Sequence, residues 1–214
     1  MQIILCGNRW KENKVIVFGC GGHARSIVNV LMENSKDIEI LMVDRNAQSN
    51  EFIMGYKAVR EYEMKENDGY IVAFGDNAKR KKKYQNLLDI HAGQCISVIS
   101  GHSYIGTEVQ IGQGSFVAAN TYLGPLAKIG NNTIINTGSI VEHESMVGNN
   151  THIAPNATVC GRVRIGNNVL CGAGSTIIDH ISICDNAVIG AGAVVKENIV
   201  EQGTYVGVPA KKIS

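Results

Sequence analysis

His143 stands between Glu142 and Glu144, and His152 follows nine residues later. A histidine titrates near neutral pH and can take a proton from an attacking nucleophile. A neighbouring carboxylate can hold its other ring nitrogen, fixing the tautomer and stabilising the imidazolium. A second set of residues lies near the start. Gly19-Cys20-Gly21-Gly22-His23-Ala24 fits G-x-G-x-x-A, and Asp44 follows 25 residues after the first glycine. Backbone N–H groups of such a loop, at a helix start, can hold a phosphate, and the carboxylate can accept hydrogen bonds from a ribose or a base.

The elements that must position His143 are repetitive. From Ile105 to Val195, every sixth residue is aliphatic except Cys171, with no insertion. Four residues after each comes a small or β-branched residue, such as Ser115, Thr133, Thr151 or Ala187. "IGNN" at 129, "VGNN" at 147, "IGNN" at 165 and "ICDN" at 183 recur 18 residues apart, which is three hexads. The pattern predicts a parallel β-helix of about five coils, with three short strands per coil and Asn or Gly at sharp corners. In this phase His143 lies two residues after an interior position and points outward. A passive spacer would show bland outward positions, whereas those from 136 to 152 are irregular and polar.

The first half alternates strand and helix. Val15–Phe18, "IEILMVD" ending at Asp44, "GYIVAFGDN" ending at residues 75–77, and "CISVI" read as strands. Ala24 to Met32 and "AKRKKKYQNLLDI" read as helices, so a small parallel sheet covered by helices is expected. The unit has about half the length of a full dinucleotide-binding domain, and a mononucleotide or nucleotide sugar fits it better. The expected division is an N-terminal extension at 1–13, a Rossmann-like nucleotide-sugar-binding domain at 14–100, and a left-handed β-helix with a C-terminal tail at 101–214. The extension reads either as an extra strand or as a poorly ordered segment.

Composition narrows the function. Lys plus Arg number 20 against 19 Asp plus Glu, without the basic excess of a nucleic-acid binder. The basic run Lys79–Lys83 reads as a solvated helix face. Six cysteines, at 6, 20, 95, 160, 171 and 184, form no CxxC pair and read as buried, reduced thiols of a cytosolic protein. No apolar run reaches 18 residues, so no membrane span is expected. His91 and His180 read as surface residues, and His102 as structural at the junction.

Taken together, the "GCGGHA" loop, Asp44, "FGDNAKR", the coil with "IINTGSIVEHE" and the terminal "GVPAK" resemble bacterial nucleotide-sugar acetyltransferases of the hexapeptide-repeat superfamily. The bacillosamine- and perosamine-type N-acetyltransferases act on UDP-, dTDP- or GDP-linked 4-amino sugars, and sialic acid O-acetyltransferases share the pattern. The resemblance covers residues 14 to 214. Two departures stand out: the extension, and "CISVISGHSYIG" where the family often has "IHPSA". The resemblance makes the coil left-handed, against the usual crossover hand. It implies a cytoplasmic homotrimer with sites between neighbouring coils, acetyl-CoA as co-substrate and no metal. By matching motif, His143 is the base and Glu144 orients it. Gly21, His23 and Asp44 contact the nucleotide, and Asn136 and Glu142 the sugar. His152, Gly161, Ala173 and Lys211 line the acetyl-CoA site. The expected reaction is direct attack of a sugar amine on the thioester. Three alternatives stay open: O-acetylation of a sialic acid, a non-catalytic nucleotide-sugar-binding scaffold, and a dinucleotide-dependent enzyme.

Overall fold

The computed structural model describes residues 3–5, 8–9, 14–34, 37–90 and 93–214. Cys6 and His91 lie outside the described residues. Strands β1 (Ile3–Leu5) and β2 (Asn8–Arg9) form an antiparallel pair. They are followed by β3 (Lys14–Phe18), helix α1 (Gly22–Asn34) and β4 (Glu39–Val43). A hairpin of β5 (Phe52–Ile53) and β6 (Tyr56–Val59) comes next, then β7 (Gly69–Val72), α2 (Asn77–Ile90) and β8 (Gln94–Cys95). The sheet order is β5-β6-β4-β3-β7-β8, with every pair parallel except β5–β6. Chain order therefore reverses between β3 and β7. The crevice at the carboxyl ends of strands on either side of such a reversal is where open α/β sheets bind ligands. The β5–β6 hairpin was not visible as strand pattern, since Phe52–Ile53 and Tyr56–Val59 are too short to show alternation.

The stretch "CISVI" is not one strand but parts of two. Gln94–Cys95 pairs with β7, whereas β9 (Ser97–Ile99) pairs with the coil. Ile96 N donates to Tyr70 O of the sheet, and Val98 N to Ser115 O of the coil, so the backbone changes partners within two residues.

The second half is a left-handed β-helix with three parallel sheets as faces. The first face stacks β9 with the strands at 116–117, 134–135, 152–153, 170–171 and 188–189. The second is a six-stranded stack beginning at Tyr104–Ile105, and the third a five-stranded stack beginning at Gln110–Ile111. The six-residue aliphatic positions fill the interior, with Leu123, Val141, Ile153 and Cys171 all fully buried. Ile105 is the most exposed of them at 39% because it stands on the first rung of its face, with no coil beyond. The small positions close the coil through their hydroxyls. Ser97, Ser115, Thr133 and Thr151 donate to the carbonyls of Gly112, Gly130, Gly148 and Gly166 at 2.8–2.9 Å, so buried donors and acceptors satisfy each other rung by rung. At the third-to-first corner, Asn132, Asn150, Asn168 and Asn186 take left-handed φ values of 53–62°, which Asn tolerates.

Both ends of the first face carry antiparallel strands. β1 pairs with β9 at one end, and Thr204–Val206 pairs with Lys211–Lys212 at the other. They cover edges that would otherwise be open to pairing. The outer side of this face packs against the α/β unit: Ile96, Val98, Phe116, Ala118 and Ile134 share one core with Ile27, Val28 and Leu31 of α1.

Candidate active site

His143 occupies the corner between the second and third faces, opposite the first. Its Nδ1 lies 3.2 Å from Glu144 Oε2. The carboxylate can only accept, so Nδ1 carries a proton, and in the neutral imidazole Nε2 is the acceptor. The ring lies over Gly161, one coil on, where a Cβ would stand 2.7 Å from both Cε1 and Nε2. Beneath, a Cβ on Gly124 would meet His143 N at 2.5 Å. Two glycines eighteen residues or so to either side thus make room for this corner. Glu142 is half-buried, and His143 N donates weakly to its Oε2 at 3.4 Å. Arg162, on the next rung, donates to Glu144 Oε2 at 2.8 Å. The His143 hydrogen bond, and after it the Arg162 guanidinium, hold the Glu144 carboxyl below its ordinary range.

A second cluster forms where the α/β unit meets the first face. Asn136 Nδ2 donates to His152 Nε2 at 3.1 Å, and Asn136 Oδ1 accepts from Thr137 N at 2.8 Å, which sets the amide's orientation. His152 therefore keeps its proton on Nδ1. The His23 ring, at the start of α1, packs edge-on against Phe116 at 5.2 Å and lies 6.5 Å from the His152 ring. Burial, then the His152 and Arg80 charges, pull His23 down to about 3. Burial and then Arg80 pull His152 down to about 4, against the opposing pull of the Gly75 carbonyl. Both rings are neutral at physiological pH.

Arg80 corrects the reading of Lys79–Lys83 as a solvated face. It is 1% exposed, the largest of the fully buried side chains. Its guanidinium donates to Phe74 O, Gly75 O and Asn77 Oδ1 on the α/β side, and to Asn132 O, Asn150 O and Thr151 O on the coil. Burial lowers it only to about 10, so it remains charged. Lys83 is also drawn in, its Nζ 4.2 Å from the Phe18 ring centroid. The charge run hid Arg80 and, less fully, Lys83, and the only signal for Arg80 was its place in "FGDNAKR".

The glycine loop lies at the β3–β7 reversal. Gly19 has φ 124° and a Cβ there would stand 3.0–3.1 Å from Phe74 and Ala73 O, so only glycine fits. Gly21 and Gly22 instead face open space, with nothing within 4 Å of an added Cβ. Asp44 Oδ2 accepts from Cys20 N at 3.1 Å and Oδ1 from Asn46 N at 3.0 Å. A cavity of about 370 Å³ opens between α1, the coil and the β5–β6 turn, lined by Arg25, Ser26, Met54, Phe116 and Thr137 among others. Phe116 touches His23, and Thr137 touches Asn136, so the cavity adjoins the histidine cluster.

Ala173 is exposed at the first-to-second corner, away from His143. Lys211 is exposed in the terminal hairpin, beside a cavity of about 280 Å³ that Lys196, Tyr205 and Lys212 also line. The Val208–Pro209 peptide is cis. His102 and His180 are exposed side chains. The five described cysteines are free, with Cys95 and Cys171 buried and the other three half-buried. Among the described residues no group of three or more His, Cys, Asp or Glu is placed to hold a metal, and no helix is long and apolar enough to cross a membrane.

The structure thus brings His143, Glu142, Glu144 and Gly161 to one corner, and His23, Asn136 and His152 to the face opposite. Gly161 touches the proposed base, and His152 the residue expected to meet the sugar. Arg162 was missed, although it stands eighteen residues after Glu144 and the coil period alone puts it one rung above.

Residues 14–87 match the family described as PglD N-terminal domain. Residues 126–161 and 162–197 match the bacterial transferase hexapeptide repeats. The chain thus joins a PglD-type N-terminal domain to bacterial transferase hexapeptide repeats, and it is similar to hexapeptide-repeat acetyltransferases. Among solved structures it is similar to the acetyltransferase domain of PglB from Neisseria gonorrhoeae, with 25% identity and TM-score 0.88 over 94% of this chain and all of that one. It is also similar to a His-to-Ala variant of GDP-perosamine N-acetyl transferase from Caulobacter crescentus, in complex with CoA and GDP-perosamine. There the identity is 26% and the TM-score 0.84, over 94% and 97% of the two chains. WeeI from Acinetobacter baumannii aligns at 25% identity and TM-score 0.83, over 93% and 99%. Comparison with curated proteins gives no match.

Proposed function

We propose that the protein transfers the acetyl group of acetyl-CoA to the amine of a nucleotide-linked 4-amino sugar, with His143 as general base. The observation that carries this reading is the His143–Glu144 pair: Nδ1 is tied to a carboxylate, and Nε2 lies above Gly161. The likeness to an N-acetyltransferase that holds CoA and GDP-perosamine supports the substrate class.

The chemistry follows from that pair. The neutral amine attacks the thioester carbonyl carbon as its proton passes to His143 Nε2. The imidazolium is stabilised by Glu144 across Nδ1, and the tetrahedral intermediate collapses with loss of the CoA thiolate. No covalent enzyme intermediate is needed. Gly21, His23 and Asp44 bind the nucleotide at the strand reversal, with its phosphates at the start of α1. The sugar extends toward Asn136, and Glu142 meets it from the catalytic corner. His152, neutral and donating from Nδ1, lines the acetyl-CoA path with Gly161 and Ala173, and Lys211 meets a CoA phosphate.

Within one chain the His143 corner and the His152 face point in opposite directions. A homotrimer resolves this by setting the corner of one coil against the α/β unit of the next. The outward side chains of the second face, Tyr104, Tyr122, Ile140, Thr158, Thr176 and Val194, carry no charge and suit contact between copies. The proposed division puts the Rossmann-like unit at 14–100 and the coil with its tail at 101–214, with Ser97–Ile99 at the end of the first unit already paired to the coil.

The test is CoA-thiol release with UDP-, dTDP- and GDP-linked 4-amino sugars, beside free and CMP-linked sialic acid. Turnover of an amino sugar supports the proposal, and its molar mass in solution tests the trimer. Turnover confined to sialic acids would move the reading to O-acetylation. Nucleotide binding without turnover of any acceptor would favour a scaffold.

A further inference from the structure

The corner that carries His143 is built differently from the other two. Each corner turns on a residue with left-handed backbone, and two of them use Asn or Gly for it. The third uses Glu108, Leu126, Glu144, Arg162 and His180, at φ 58–64°. Such a conformation is strained for residues of this kind and persists where the surrounding coil enforces it. Arg162 is among them, and its guanidinium reaches the same Oε2 of Glu144 that the imidazole uses.

We propose that Arg162 is a positioning residue for the reaction: from the next rung it clamps Glu144, and so fixes the orientation of His143 and moderates the negative charge the imidazole meets. The proposal rests on the reading of His143 as the base. A carboxylate on an exposed corner would otherwise swing among rotamers, and the imidazole with it. One oxygen shared between a guanidinium and an imidazole ties the positions of the two groups together. The charged groups shown beside His143 are Glu142 and Glu144 on its own rung and Arg162 on the next. The rung below presents Gly124 and Pro125, which carry no charge. Arg162 is the one cation in this set, so its removal leaves the imidazole among carboxylates alone.

The test compares the full-length wild type with Arg162→Asn, Arg162→Lys and His143→Ala. Asn suits the left-handed backbone, so Arg162→Asn should melt at or above the wild-type temperature. The Cε1–H NMR signal of His143, identified by its loss in His143→Ala, is followed against pH. Its midpoint should move upward in Arg162→Asn, because a nearby cation is gone. Arg162→Lys should restore most of that shift. In CoA release with the three nucleotide-linked amino sugars, kcat should fall on the order of tenfold in Arg162→Asn with KM little changed, and the acid limb of its pH profile should move up with the NMR midpoint. An unchanged midpoint together with unchanged kcat would overturn the proposal. So would lost activity that merely follows lost stability while the midpoint stays. Full turnover in His143→Ala would sink the base itself, and with it any role of Arg162 through it. Loss of turnover in His143→Ala with no effect of Arg162→Asn would sink the inference alone.

Discussion

His143 and His152 are nine residues apart and live in opposite surroundings. His143 is half-exposed on a corner, tied to a carboxylate, and its partner Glu144 is tied in turn to Arg162. His152 is enclosed between two domains, tied to an uncharged amide, and close enough to Arg80 for that charge to disfavour its protonation. The same side chain thus meets a carboxylate at one place and an enclosed, cation-flanked site that disfavours its protonation at the other. The difference comes from the neighbours, as carboxylates favour the imidazolium while burial beside a cation opposes it.

The largest expected effect comes from removing the cation behind the enclosed cluster. Arg80→Ala leaves carbonyls of both domains without donors, and should lower the unfolding free energy by about 3–5 kcal/mol in urea melts. An effect near zero would mean that the two domains do not depend on this pin. His143→Ala comes next. A loss of CoA release on the order of a hundredfold, or about 2.7 kcal/mol of barrier, is expected with an unchanged melting temperature. A similar loss in His152→Gln would blur the contrast between the two histidines.

The enclosed pair also predicts acid sensitivity. His23 and His152 are depressed to about 3 and about 4 in the folded protein, against about 6.5 when unfolded. Below pH ~6.5 the unfolded chain takes up protons that the folded chain refuses. Stability is therefore complete above that pH and falls as the pH drops toward 4, by about 1.4 kcal/mol per pH unit for each fully depressed group. Urea melts between pH 7 and pH 5 check this, and His152→Gln should flatten the slope. The smallest effect is expected from Gly161→Ala. Its Cβ would push the His143 ring aside, and kcat should fall about tenfold while the coil still folds. Wild-type kcat in this variant would show that the ring's place above Gly161 does not matter.

The coil was legible because its physics is local and periodic. Ile135, Val141 and Val147 had to face inward, and Asn132 and Asn150 had to turn corners, wherever the rest of the chain went. His143 and Glu144 are adjacent in sequence, so their pairing needed only the corner they share. The β3–α1 unit was legible for the same reason, from Gly19 to Leu31. Other features were not. Arg80 sits in a run of lysines, and only the approach of the coil turns it inward to Asn132, Asn150 and Thr151. The union of Asn136, His152 and His23 joins residues from two domains, and no spacing in the chain encodes it.

Short-range order was therefore written in the residues: hexad phase, corner chemistry, the glycine loop and an outward histidine between two glutamates. Backbone hydrogen bonding and burial enforce these within a coil or a single βα unit. The docking of the α/β unit on the first face was settled in three dimensions, and with it the neutral state of His152 and the burial of Arg80. So was the contact of Arg162 with Glu144 across one rung. A charge's environment depends on what packs against it, and those neighbours are distant in the chain or one full coil away.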